Sequence, residues 1–315
     1  MAITSAAFAS GNVFSCYDTE ADAIIFVHIT EKNKAVVRLN YPKLERSIGV
    51  SAARFSQWGP KIIGGEKPVS VLSYQRRKRD GIVCLVRTDG ASRLPGFYDC
   101  AACCLIDAEA GLFAVLDQRK NLSIYEWDRC VMRVEKVSRI ESGLMPKSLC
   151  VIKDSAIFHV RFDRGKWKTV KAFSSEARLT GLVLGSSGQL AFTREGYLFS
   201  SEAGASARII RLETCSDGRE RAFGRLLQSE SGGEYLSVNY DQKALKNVTM
   251  SLYEGDGKLV NESDPFVENV PASYDFTAWT KVGDKIATAF FVSSLGIVSQ
   301  WNVSEKKVIS WVALP

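Results

Sequence analysis

The chain is 315 residues long, 46% hydrophobic and 24% charged, which permits a substantial core and excludes a disordered polypeptide. Lys and Arg number 41 against 35 Asp and Glu, a net charge of +6 that is too dilute over this length to mark a nucleic-acid binder on charge alone. No apolar stretch is long enough to cross a bilayer as a helix, so no membrane partner is expected.

The residues from Met1 to Ser10 carry no positive charge and only a short apolar run. No secretory signal is read there, and the chain is expected inside the cell, in the nucleus, the cytoplasm or both, and not secreted. From Ile3–Ser10 onward, short runs alternate apolar and polar residues, as in Ala23–Thr30, Ala35–Tyr41, Gly81–Arg87 and Ser155–Phe162. β-branched and aromatic residues dominate these runs, and Gly, Asp, Asn or Ser cuts each of them. Helical spacing of apolar residues is scarce. The class is all-β: a sandwich, a barrel or a propeller.

Arg76-Arg77-Lys78-Arg79 is the densest charge in the chain, and the Asp80-Gly81 that follows predicts a tight hairpin with these cations exposed. Lys and Arg on a sheet edge discourage pairing with other chains, which is the bland reading. A nuclear-import signal or a contact for an acidic partner is the functional one. Further along, Cys100-Ala101-Ala102-Cys103-Cys104 has a C-x-x-C spacing. A zinc site needs a second pair, and Cys130 and Cys150 stand alone, so the segment reads as a small-residue inner strand with no metal. His28 and His159 both lie in alternating strands, and no nucleophile elbow, phosphate loop or metalloprotease motif occurs. No catalytic residue, cofactor or small-molecule substrate is expected, and the chain does not read as an enzyme.

The decisive pattern is a repeat. Leu112 to Asp128 aligns without gaps on Ile286 to Asn302, 174 residues later (286 − 112), about four periods of a propeller blade of roughly 40–45 residues. Strand pairs recur near Asn12–Thr30, Lys61–Gln75, Ser155–Lys168, Gln189–Ser200 and Tyr235–Tyr253. The units then run 1–45, 46–96, 97–140, 141–176, 177–216, 217–270 and 271–315. Ile3–Ser10 supplies an innermost strand and the segment from Val308 to Ala313 an outermost one. The ring is therefore expected to close by packing, without a sheet shared between the chain ends.

Trp127-Asp128 and Trp301-Asn302, each closing a strand–turn–strand unit, resemble the WD-repeat β-propellers. In that family the Trp sits on the third strand of a blade. Asn121 and Ser123 fall where the family usually has Asp and Thr in the turn before that strand. No Gly-His dipeptide opens any unit, so the family's His–Ser/Thr–Asp–Trp network has no counterpart and the chain is a divergent member. Gly64-Gly65 and Gly232-Gly233 admit a kelch propeller, but the kelch Tyr and Trp spacing is missing. The resemblance implies a single seven-bladed β-propeller of four-stranded antiparallel blades. It also implies a non-enzymatic scaffold whose faces hold segments of partner proteins in multi-subunit assemblies, like compact mitotic-checkpoint, nuclear-export or coat-type adaptors.

Threaded as blades, Arg46 and Arg93 fall in loops between units, and Arg119, Lys120 and Arg194 in turns within them. Both loop types open on one face, where these five are expected to hold an acidic or phosphorylated peptide segment. The Arg76–Arg79 set threads to the opposite or outer edge. Trp58, Trp127, Trp167, Trp279, Trp301 and Trp311 are each candidate anchors for a partner, with packing between blades expected for Trp127, Trp301 and Trp311. The alternative function is a non-catalytic subunit of an RNA-binding or RNA-modifying complex. Its weakness is that no aromatic residues are interleaved with the basic ones.

Overall fold

The computed structural model describes residues 3–10, 13–18, 23–29, 34–40, 61–63, 69–77, 80–87, 90–93, 100–107, 110–126, 129–142, 147–183, 189–201, 208–213, 221–229, 231–271, 274–281, 285–293 and 297–312. Among these residues every regular element is a β-strand, as the alternating sequence dictates.

Each sheet is an antiparallel meander in chain order. β1 (Ile3–Ser10), β2 (Val13–Asp18), β3 (Ala23–Ile29) and β4 (Lys34–Asn40) form the first. β5 (Lys61–Ile63), β6 (Val69–Arg77), β7 (Asp80–Arg87) and β8 (Gly90–Arg93) form the second. The third holds β9 (Cys100–Asp107), β10 (Leu112–Asp117), β11 (Leu122–Glu126) and β12 (Arg129–Val134). The fourth holds β13 (Val137–Ser142), β14 (Ser148–Lys153), β15 (Ala156–Asp163) and β16 (Lys166–Ser174). β17 (Gly181–Leu182), β18 (Gln189–Phe192), β19 (Tyr197–Ser201) and β20 (Arg208–Arg211) make the fifth.

β21 (Arg221–Gln228), β22 (Glu234–Asp241), β23 (Lys246–Glu254), β24 (Leu259–Glu262) and β25 (Val267–Asn269) make the sixth. This sheet departs from the four strands expected, because β24 and β25 lie along the same edge of β23 as one interrupted outer strand. At the break, Ser263 donates its N–H to the Met250 carbonyl at 2.9 Å and accepts the Met250 N–H on Oγ at 3.0 Å. β26 (Tyr274–Lys281), β27 (Lys285–Ser293), β28 (Ile297–Asn302) and β29 (Val308–Val312) complete the set.

The sheets succeed one another around a ring. β1 touches β5, β5 touches β9, β9 touches β13, β13 touches β17, and β17 touches β21. β22 meets β27, and β26 returns to β1. β1 and β29 belong to different sheets, so closure is by packing, as expected.

A sheet with two apolar faces must bury both, and neighbouring sheets do this for each other. Leu149 and Val151 of β14 pack against Ala114, Leu116 and Ile124 of the third sheet. Ile152 and Ile157, on the other face, pack against Leu179, Ala191 and Phe199. Burial of each of these Leu, Ile, Val and Phe side chains contributes about 1.5–3 kcal/mol, and of the alanines less.

The sequence repeat corresponds to the second and third strands of a sheet, β10–β11 at one copy and β27–β28 at the other. The boundary read at 140 falls inside β13, because only Glu135 and Lys136 separate β12 from the next innermost strand.

Candidate functional site

In a four-strand antiparallel meander the turn between the second and third strands lies at the end where the first strand begins. The connection to the next sheet leaves from that same end. We call this the leading end and its opposite the trailing end. Backbone contacts bear out the rule: Val137 at the start of β13 donates to the Lys120 carbonyl in the β10–β11 turn at 2.9 Å. Phe223 of β21 donates to the Arg194 carbonyl in the β18–β19 turn at 3.0 Å.

Arg119, Lys120 and Arg194 therefore share the leading end, joined by Arg93 as the last residue of β8. Arg46 lies outside the described residues. The Arg76–Arg79 set is a correction: Arg76 and Arg77 end β6 and Asp80 opens β7. That hairpin joins second and third strands, so it belongs to the leading end and not to the opposite or outer edge. Lys78 and Arg79 lie outside the described residues, as do Trp127 and Asp128.

The Asp117–Asn121 turn is fixed by a cluster of hydrogen bonds. Asp117 N–H donates to the Asn121 carbonyl at 3.0 Å, and Lys120 N–H to the Asp117 carbonyl at 3.0 Å. The Asp117 carboxylate accepts the Asn121 backbone N–H at 2.8 Å and its side-chain amide at 3.0 Å. Asn121 thus serves its turn through Asp117, four residues earlier. Lys120 takes a left-handed φ of 66°, which the bond from Val137 helps hold. Arg119 and Lys120 are both exposed. Lys136, exposed and with a φ of 62°, sits in the short connection that leads to Val137 and adds a third cation.

Arg194 differs. Its turn is tight: Thr193 donates to the Tyr197 carbonyl at 2.9 Å, and Gly196 to the Thr193 carbonyl at 3.1 Å. Gly196 has a φ of +87°, and a Cβ there would come within 2.5 Å of the Phe223 ring. Arg194 itself is half-buried, and its Nη2 reaches the Gln242 carbonyl of the sixth sheet at 3.5 Å. It leans on the neighbouring sheet more than it projects.

Among the described residues, no three His, Cys, Asp or Glu side chains lie together in a way that would hold a metal ion. His159 faces Cys150 with Nδ1 3.6 Å from Sγ, and its ring is half-buried. Burial, and secondarily the charge of Arg161, hold His159 below the usual imidazole range.

No protein-family model matches the sequence, and no curated protein does. Solved structures do match its fold. Hsv2 of Kluyveromyces lactis superposes with a TM-score of 0.68 over 98% of this chain and 98% of its own, at 8% identity. The C-terminal WD40 domain of Sif2 gives 0.57 over 98% and 85%, at 10% identity. The chain has the fold of a WD-repeat β-propeller.

Within this propeller Trp301 occupies the third strand of its sheet, β28, and is fully buried at 0% exposure. Its indole N–H donates to the Glu305 carbonyl in the turn that follows. Asn302 is exposed and bonds within that same turn, its Oδ1 accepting from Ser304 Oγ at 3.0 Å. The tryptophan thus keeps its packing role while its hydrogen bond stays local. Reading the sequence missed Lys136, whose signal was the brevity of the link between β12 and β13. It also left Trp167 as one candidate anchor among six.

Proposed function

We propose that this protein is a non-enzymatic scaffold or adaptor subunit of a multi-protein assembly, holding an acidic or phosphorylated segment of a partner protein on the leading end of the propeller. The observation that carries this reading is the Asp117–Asn121 turn. It fixes the backbone of Arg119 and Lys120 and leaves both side chains in solvent beside Lys136. A backbone already ordered loses little entropy on binding. The Arg119 guanidinium suits carboxylate or phosphate through paired hydrogen bonds, and the lysines act as point charges. Arg76, Arg77 and Arg93 extend the same end.

The test is purification of the tagged protein from its native cells, with partners quantified by mass spectrometry, for wild type and for R119E/K120E. Selective loss of one acidic partner from the variant, with the melting temperature unchanged, supports the reading. An unchanged partner profile defeats it. Recovery of RNA in place of protein, falling steeply with salt, transfers the function to the RNA-complex class.

A further inference from the structure

A second surface lies at the trailing end, away from every residue of the leading-end reading. A groove of about 620 Å³ runs between β12 of the third sheet and the β15–β16 hairpin of the fourth. Leu112, Val131 and Met132 line one side and Phe162 and Trp167 the other. Trp167 packs against the core shared by these two sheets. Phe162 is 43% exposed, and its ring meets Trp167 edge-on at 5.7 Å and 64°. Its backbone N–H donates to the Lys147 carbonyl at 3.1 Å, so the aromatic wall is held from behind.

Charge frames the apolar floor. Lys147 Nζ stands 6.0 Å over the Phe162 ring, and Lys166 and Arg129 also line the groove. The carboxylates nearby are already matched: Glu126 pairs with Arg129, and Asp163 with Lys168 at 2.8 Å. Among the described residues Lys147 and Lys166 have no acidic partner. An exposed phenylalanine between unmatched cations is complementary to an apolar side chain flanked by acids.

We infer that this groove seats an acidic segment of a partner protein carrying one aromatic or large aliphatic side chain. That side chain lies on Phe162, Trp167 and Met132, while its acidic neighbours meet Lys147 and Lys166. A lipid surface fits poorly, because the apolar residues line a groove between two sheets and do not form a flat exposed face. A nucleobase fits poorly too, because Lys147 stands over the Phe162 ring and Trp167 crosses it at 64°, which breaks up a parallel stacking platform. The inference is independent of the leading-end reading, since no residue is shared.

The experiment uses the full chain and a fluorescein-labelled synthetic peptide of Asp and Glu with a single central Phe, read by anisotropy. Controls are the same peptide with Ala for Phe, its Lys-for-acid counterpart, anionic phospholipid vesicles and a single-stranded RNA. The acidic Phe peptide is expected to bind, with about tenfold weaker affinity for K147E/K166E and for F162A, and its advantage over the Ala-for-Phe peptide is expected to persist in R119E/K120E, where any acidic binding at the leading end is removed. Melting curves of each variant check that the fold is intact. Four results overturn the inference: no binding of the acidic Phe peptide, equal binding by K147E/K166E, loss in R119E/K120E alone, or preference for vesicles or RNA. Loss in R119E/K120E would leave the leading-end reading standing. Groove binding as expected, with native partners unaffected by R119E/K120E, would remove that reading and keep this one.

Discussion

Cys150 on β14 and His159 on β15 stand directly opposite each other, with Sγ 3.6 Å from Nδ1. Burial and the Arg161 charge hold the imidazole below its usual value of 6.5, so the neutral ring dominates at pH 7, and its tautomer decides whether Nδ1 or Sγ donates in this contact. Because the folded value is the lower one, the unfolded chain takes up the proton first. The stability this site contributes is present above pH 6.5, falls as the pH drops toward the folded value, and then stops changing. Melting temperatures should be flat above pH 6.5 and decline below it, with a shallower decline in His159→Gln. Asp163, lowered chiefly by its hydrogen bond from Lys168, loses its contribution only below its usual value of 3.8, so the two windows are separable. Identical pH profiles for wild type and variant would refute the assignment.

Arg221 and Glu262 form an ion pair at 2.5 Å between the innermost and outer strands of the sixth sheet, with side chains only 13% and 17% exposed. Thr249 Oγ1 links them, accepting from Arg221 at 2.7 Å and donating to Glu262 at 3.0 Å. Removing one partner leaves the other charge in a poorly solvated place. Glu262→Gln or Arg221→Met alone should cost about 3–5 kcal/mol, and replacing both with apolar residues distinctly less than the sum. Chemical denaturation of the two single variants and the double variant measures the coupling. Additive losses would show that the pair does not act as a unit.

The ring architecture was legible because alternation and turn residues are local, and because Leu112 to Asp128 and Ile286 to Asn302 occupy the same hairpin in two sheets. The placement of Arg76 and Arg77 was not. Which end a hairpin faces depends on counting strands from the start of its sheet, and β5 is only three residues long, too short for alternation to declare it. The trailing-end groove was hidden for a different reason. Met132 and Trp167 belong to different sheets, and nothing in local spacing brings them to one surface. Arg194 was correctly placed by the topology, yet its half-buried position is a tertiary fact set by Gln242.

Gly257 sits in the turn between β23 and β24 with a φ of +95°, and a Cβ there would stand 2.4 Å from the Arg211 carbonyl oxygen of the fifth sheet. The same turn is bonded to that sheet: Glu213 N–H donates to the Gly257 carbonyl at 2.9 Å, and Leu259 N–H to the Glu213 carboxylate at 3.0 Å. Strain and collision act together here, and the obstacle is backbone. Gly257→Ala should destabilise by at least about 1–3 kcal/mol, seen as a lowered denaturation midpoint. Gly165, with a φ of +79° and open space around it, is the control for conformation without collision, and its alanine variant should lose less. An equal loss at the two sites would assign the whole effect to φ.

At the leading end, contact with a partner and support of the fold fall to different residues. Arg119 and Lys120 are exposed on a turn whose bonds do not involve their side chains, so R119E/K120E should leave the melting temperature unchanged. Arg194 is half-buried against the sixth sheet, with its Nη2 on the Gln242 carbonyl at 3.5 Å and its aliphatic stem covered. Arg194→Ala should therefore lower stability by about 0.5–1.5 kcal/mol and leave association with the acidic partner close to wild type. For R119E/K120E the association rate should fall by about tenfold or more, with a weaker dependence on salt, because long-range attraction acts mainly on encounter. R76E/R77E should slow association in the same direction, since that hairpin shares the end. K147E/K166E, at the opposite end, should leave association of this partner unchanged. Rates measured at two ionic strengths, alongside melting curves, settle the division. If Arg194→Ala abolishes association while R119E/K120E does not, the contact lies in the cleft between the fifth and sixth sheets and the exposed turn is only a solvated loop.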